Sequence, residues 1–75
     1  MNLFKIRFVT DRGIVIFYVI HHSGQSAATL ATDNLVPLRL AGYVGRRDIT
    51  EITELPVKID PKATIGIVDT IKVLG

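Results

Sequence analysis

The N-terminal residues alternate between apolar and polar side chains, which predicts the first strand. The alternation runs through NLFKIRFVT, residues 2–10. A period of two is typical of a strand with one buried face and one wetted face. The apolar face carries Phe4, Ile6 and Phe8, and the polar face carries Lys5 and Arg7.

A second strand is predicted directly after a turn, and both of its faces are apolar. The TDRG sequence has aspartate early and glycine late, which predicts a type I turn that ends with Gly13 in the left-handed conformation. Residues 14–20 form an unbroken apolar run, rich in β-branched side chains, that favours a strand from Ile14 to about His22. Because neither face is polar, we expect this strand to be central in a sheet and covered on both sides.

The periodicity becomes helical in SGQSAATLATDNLVP. Ser23 or Ser26 is suited to accept the free N–H groups at the start of a helix. Apolar residues then recur at helical spacing on one face, namely Ala27, Leu30, Ala31 and Leu35.

Proline disrupts helix hydrogen bonding, so Pro37 limits this helix. The helix either ends near Asn34 or Val36, or kinks and continues to Ala41 with Gly42 as its C-terminal cap. We favour the longer, kinked helix.

Strand propensity returns in the C-terminal third of the chain. The density of isoleucine and threonine predicts a strand from about Ile49 to Leu55, with a bulge, and Pro56 marks an edge or a break. A hairpin is expected around residues 60–62, with Val57 and Ile59 before its turn and Ile65 and Ile67 after it.

The order of elements predicts an α+β fold for a single domain that spans residues 1–75. We expect an antiparallel sheet of about four or five strands in ββαββ order, with one helix packed on one face.

One helix can cover only one face of the second strand, so its other face needs a different cover. We assign Val15, Phe17 and Val19 to that uncovered face. Exposure would forgo about 1.5–3 kcal/mol for each side chain, against a total stability of about 5 kcal/mol for so small a domain.

Two alternatives could cover this face of the second strand: a barrel closed by the C-terminal segment, or a second copy of the chain. The barrel would be lined by Ile65, Ile67, Val68, Ile71 and Val73. We favour the second copy, which predicts a homodimer formed through the sheet.

Composition narrows the setting of the protein. Its 75 residues contain no cysteine, so disulfides and thiolate metal sites are excluded. Neither a signal peptide nor a transmembrane helix is expected, and the cytoplasm is the predicted location. The net charge is only +2, so the sequence pI of about 9.3 is weak evidence for nucleic acid.

Two groups of residues are candidates for binding. Arginine grips phosphate and carboxylate groups bidentately, and an aromatic ring can stack on a base. This cationic group consists of Arg46 and Arg47 with Tyr43 beside them, extended by Lys5, Arg7 and Arg39. The second group is the pair His21 and His22, but adjacent strand residues point to opposite faces and cannot chelate one ion, so no metal is expected.

No catalytic motif is present, and neither a catalytic residue nor a cofactor is predicted. We therefore expect a protein that is not an enzyme. A third hypothesis, after protein interaction and nucleic-acid binding, is an active site built between subunits around His21 or His22 and a carboxylate of the other chain.

The hairpin, the helix SAATLATDNL, the LAGY sequence and the strand ITEITEL together resemble small, mostly uncharacterised ββαβ proteins of bacteriophages and mobile elements. The resemblance covers about residues 3–55, and the C-terminal DPKATIGIVDTIKVLG adds strands to the shortest form. It implies a small accessory or inhibitory binding protein. Our first functional prediction is therefore a protein-interaction module, and the alternative is a nucleic-acid-binding module that uses the cationic group.

Overall fold

The structure is a computed structural model that describes residues 1–10, 13–35 and 47–74. These contain four strands and one helix in ββαββ order. The elements are β1 (Asn2–Thr10), β2 (Gly13–His21), α1 (Gly24–Leu35), β3 (Arg47–Leu55) and β4 (Gly66–Leu74).

The four strands form one antiparallel sheet in the order β3-β1-β2-β4. The helix packs against one face of it, so the predicted α+β class is confirmed. β1 and β2 pair from Asn2 with His21 to Thr10 with Gly13. Gly13 has a φ of 129°, which confirms the predicted left-handed glycine. The two residues between Thr10 and Gly13 lie outside the described residues.

Ser23 caps the N-terminus of the helix, which is one of the two predicted alternatives, Ser23 and Ser26. The Ser26 N–H donates to the Ser23 hydroxyl oxygen at 3.2 Å, and the Ala27 N–H donates to the Ser23 carbonyl at 3.0 Å. The described helix runs to Leu35. The predicted continuation past Pro37 to Ala41 falls outside the described residues.

Small side chains bring the helix close to the sheet. Ala27, Ala31 and Leu35 are buried against it, as the helical spacing predicted. At Gly24, a Cβ atom would lie 2.9 Å from Cγ2 of Ile52, so only glycine fits there without a shift of the Ile52 side chain. Leu30 is partly buried at the margin of the core.

The core lies between α1 and the two central strands. Phe8 and Phe17 meet edge to face with ring centroids 5.8 Å apart, a favoured aromatic arrangement. The buried apolar residues of the described part are Phe4, Ile6, Phe8, Val15, Phe17, Val19, Ala27, Ala28, Ala31 and Leu35.

The assignment of Val15, Phe17 and Val19 to an uncovered face was wrong. All three are buried beneath α1, and their exposures are between 0% and 2%. The reason is the hairpin register, which pairs them with Phe8, Ile6 and Phe4. Directly paired residues share a face of the sheet, so both sets lie on the side of the helix. In the part of the chain that the structure describes, the opposite face of β2 is therefore the one without a helix.

The C-terminal segment extends the sheet instead of closing it. β4 pairs with β2 in the plane of the sheet, so the barrel alternative was wrong. The predicted turn is present, because the Lys62 N–H donates to Asp60 Oδ1 and the Ala63 N–H to the Asp60 carbonyl, both at 2.8 Å. The predicted hairpin, however, was wrong: Val57, Ile59 and Ile65 are not part of a strand, and the strand after the turn pairs with β2.

The third strand agrees with its prediction. It begins two residues earlier than expected and ends at Leu55, directly before Pro56. Its predicted bulge is also present, where the register shifts opposite Arg7 and Phe8.

Candidate functional site

The sheet face opposite the helix, here named the open face, is the candidate functional site. Ile16 lies on it because its neighbours Val15 and Phe17 point to the helix. Ile16 pairs with Ile71 of β4, and Ile14 pairs with Val73. The apolar half of the open face consists of Ile14, Ile16, Tyr18, Ile20, Ile71 and Val73, and it includes one charged residue, Asp69, which pairs with Tyr18.

The apolar half is accessible to solvent where β4 forms the edge of the sheet. Ile71 is 40% exposed and Val73 is 51% exposed, whereas the β2 residues beside them are half-buried. No helix or further strand among residues 1–10, 13–35 and 47–74 covers this half. A contiguous apolar surface of this kind is typical of an interaction site.

The other half of the open face, built by β1 and β3, is charged. Lys5 Nζ lies 3.5 Å from Glu51 Oε1, and the Thr53 hydroxyl donates to Glu51 Oε2 at 2.6 Å. The hydrogen bond from Thr53, followed by the charge of Lys5, lowers the pKa of Glu51 below its ordinary value. Arg7 pairs directly with Glu51 across the strands. The open face thus combines an apolar half with a half that carries both signs of charge.

The lowered pKa of Glu51 predicts a loss of stability in acid. The carboxylate is favoured by the folded state, so its stabilisation is fully present above the unfolded pKa near 4.5 and is lost as the pH falls through the lower folded value. We expect Thr53→Val to reduce the loss of thermal stability between about pH 5 and pH 3, as measured by circular dichroism. An unchanged pH dependence in this variant would contradict the assignment.

The structure brings together only part of the predicted cationic group. Lys5 and Arg7 are neighbours on the open face, with Glu51 between them. Arg47 is described through its backbone, which pairs with Thr10. The remaining members, Arg39, Tyr43 and Arg46, lie outside the described residues. Of the two cations, Lys5 and Arg7, that the structure describes on the open face, Glu51 offsets one, so the described part of this surface is a poor match for a phosphate backbone.

His21 is the last residue of β2, on the side of the helix, and His22 follows it outside the strand. The His22 N–H donates to His21 Nδ1 at 2.8 Å, which leaves Nε2 as the nitrogen of His21 that can meet a ligand. His21 lines a shallow pocket of about 340 Å³ together with Ser26, Thr29, Leu30 and Asp33.

The hydroxyl groups of this pocket already have partners. Ser26 Oγ is hydrogen-bonded to Ser23 Oγ at 3.1 Å, and the Thr29 hydroxyl donates to the Gln25 carbonyl at 3.1 Å. Within the described ranges, no group of three or more histidine, cysteine, aspartate or glutamate residues is arranged to hold a metal ion. The pocket therefore offers one imidazole nitrogen and one carboxylate, without an activated nucleophile beside them.

The comparisons add no relative: no protein-family model, curated protein or solved structure matches the chain. In the part of the chain that the structure describes, no helix has the length and apolar character needed to cross a membrane.

The residues of the apolar half were missed as a site by the sequence analysis. The register of the β1–β2 hairpin is the information in the sequence that identifies these residues. A two-residue connection between Thr10 and Gly13 pairs Phe8 with Val15 and Arg7 with Ile16. The charged Lys5 and Arg7 then mark the face of β2 that points away from the core.

Proposed function

We propose that this protein is a non-enzymatic protein-interaction module that self-associates by packing its open face against the open face of a second copy. The observation that carries the proposal is the apolar half, which none of the described helix and strands covers. A domain of this size has a stability of only about 3–5 kcal/mol. Burial of the exposed parts of Ile71 and Val73, together with the half-buried β2 residues, would add stabilisation of comparable size.

The dimensions of the open face suit a dimer. Four strands about 4.8 Å apart and nine residues long, at about 3.3 Å per residue, give a rectangle of about 600 Å². Because side chains project from the sheet, its accessible area is larger than this rectangle. It approaches the area of about 800 Å² that each partner buries in a standard interface. Two sheets packed face to face would lie about 10 Å apart, as in a β-sandwich.

The pattern of charge favours a second copy over nucleic acid. In a two-fold arrangement the apolar half of one copy meets the apolar half of the other, and the charged halves lie toward the rim. Since Lys5 and Glu51 supply opposite charges in each copy, the rim is self-complementary. Nucleic-acid binding would instead require a surface of one sign, and its affinity would fall steeply with salt.

The wider role follows from the resemblance to phage and mobile-element proteins and is part of the same proposal. The dimer acts as an accessory or inhibitory partner of another protein. It acts in the cytoplasm, which a cysteine-free chain suits because that compartment is reducing.

Substitution of Ile71 by lysine tests the dimer. We expect sedimentation of the wild-type protein to give a molar mass of about twice 8.3 kDa. Ile71→Lys should raise the dissociation constant at least about 100-fold, because each copy would bring an ammonium group into an apolar interface. Sedimentation equilibrium over a range of concentrations measures both quantities.

The matched control is Thr70→Lys, which places the same group on the neighbouring residue. Thr70 is exposed and pairs with Phe17, so its side chain lies on the side of the helix. This variant should associate like the wild-type protein. A wild-type protein that remains a monomer of 8.3 kDa at millimolar concentration would overturn the proposal.

A further inference from the structure

The two edges of the sheet differ in how well they resist the addition of another strand. β3 carries four charged residues among nine, contains a bulge and is followed by Pro56, all of which discourage strand addition. β4 carries only Asp69 and Lys72 among its nine residues, and no proline lies within it. Its bulge lies near its start, so residues 69–74 continue as a regular strand.

The free backbone groups along the β4 edge can be identified from two hydrogen bonds. The Thr70 N–H donates to Asp69 Oδ1 at 2.8 Å, so it points away from β2. The Arg7 carbonyl accepts the Thr50 hydroxyl of β3 at 3.4 Å, so the backbone groups of Arg7 point away from β2.

In an antiparallel sheet, the backbone groups of successive residues point alternately to one neighbouring strand and to the other, and both observations fit this alternation. Because Arg7 directs its groups to β3, its partner Ile16 directs its own to β4 and bonds Ile71. The residues on either side of Ile71, which are Thr70 and Lys72, then direct their N–H and carbonyl groups to the outer edge of the sheet, where the structure describes no further strand. Each is exposed, and the Asp69 carboxylate occupies the position that the carbonyl oxygen of an added strand would take at Thr70.

We propose that the β4 edge binds an extended segment of a partner polypeptide as an added strand, and that the Asp69 carboxylate holds the site until the segment displaces it. Such binding uses backbone hydrogen bonds for affinity and alternate side chains for specificity. Lys72 has no ion pair among the described residues, so an acidic residue is favoured opposite it on the side of the helix. Apolar residues are favoured opposite Ile71 and Val73, on the open face.

A second copy of β4 is a poorer occupant than such a segment. In antiparallel self-pairing the residues that share a face meet one another, so Lys72 would face Thr70, Leu74 or another Lys72. None of these supplies an anion, because Asp69 lies on the other face of the strand. The edge therefore fits a partner whose charge differs from that of β4 itself.

The test is a titration of the ¹⁵N-labelled wild-type protein with the peptide acetyl-TVEVT-amide, followed by amide chemical shifts. We expect the shifts to concentrate at Thr70 and Lys72, and the peptide to slow amide exchange at Lys72 while exchange at Ile71 stays unchanged. The matched peptide acetyl-TVKVT-amide should bind at least about threefold more weakly, since it places lysine opposite Lys72.

Two variants separate edge binding from other surfaces. Lys72→Pro removes an N–H that is outside the ladder, so the variant should fold and lose the peptide. Asp69→Ala should bind the peptide about three- to tenfold more tightly, because no carboxylate has to be displaced.

Several outcomes would overturn the proposal. These are the absence of shifts at millimolar acetyl-TVEVT-amide, shifts confined to Ile14, Ile16 and Ile20, or unfolding of Lys72→Pro, which would show that this N–H belongs to the ladder. The molar mass of the protein during the titration reports separately on the dimer, so either proposal can fail without the other.

Discussion

Val15→Lys is expected to unfold the domain, whereas Ile14→Lys, one residue away, is expected to leave it folded. Val15 is fully buried under α1, and no acidic residue belongs to the core around it. An unpaired ammonium group in such a position costs several kcal/mol, which exceeds the about 3–5 kcal/mol available to a domain of this size.

The control works because Ile14 lies on the open face and is half-buried at the start of β2. A lysine there can extend its ammonium group to water in the monomer, so the expected cost to the folding of the monomer is below about 1.5 kcal/mol. Circular dichroism and the dispersion of amide signals measure the outcome. If Ile14→Lys unfolded the domain and Val15→Lys did not, the helix would cover the other face of the sheet.

Phe17→Ala is expected to lower the free energy of unfolding by about 3–5 kcal/mol. Phe17 is 2% exposed at the centre of β2, and its ring packs edge to face on Phe8. Truncation removes this contact and leaves a cavity that the surrounding backbone, hydrogen-bonded on both sides to β1 and β4, can fill only in part.

Urea denaturation at one fixed protein concentration measures this effect, since association would make the stability depend on concentration. Val57→Ala is the control, because Val57 is apolar but 51% exposed and lies outside the sheet. It should change the free energy of unfolding by less than about 0.5 kcal/mol. A loss in Phe17→Ala no larger than that in Val57→Ala would contradict the core described above.

The parts of the fold with a clean local pattern could be predicted from sequence. β1 alternates strictly, so its buried face was evident from Phe4, Ile6 and Phe8. Ser23 and the helical spacing of Ala27 and Ala31 located α1 for the same reason. In each of these segments a single periodicity divides the apolar side chains from the polar ones.

The orientation of β2 could not be derived from its own composition. Both of its faces are apolar, so periodicity alone cannot tell whether Val15 or Ile16 meets the helix. The information lies in its pairing with β1, where Arg7 opposite Ile16 marks the solvent side. The candidate site was assigned to the wrong face because each strand was considered separately from its partner.

The segment between β3 and β4 shows a limit of a different kind. Val57 and Ile59 alternate like strand residues, but β3 and β4 occupy opposite edges of the sheet. The connection has to cross the ends of both central strands, and the distance from β3 to β4 is about 14 Å. It therefore runs across the sheet and not alongside either edge strand. The strand order, which depends on the whole chain, decided the conformation of these residues.

Every buried apolar side chain that the structure describes belongs to β1, β2 or α1, and none to β3 or β4. A ribosome has therefore synthesised all of these buried residues once residue 35 has been added, before the first residue of either outer strand. At about 5–20 residues per second, it needs about two to eight seconds more to reach Leu74 at the end of β4. Both outer strands thus leave the ribosome later than the residues on which they are built.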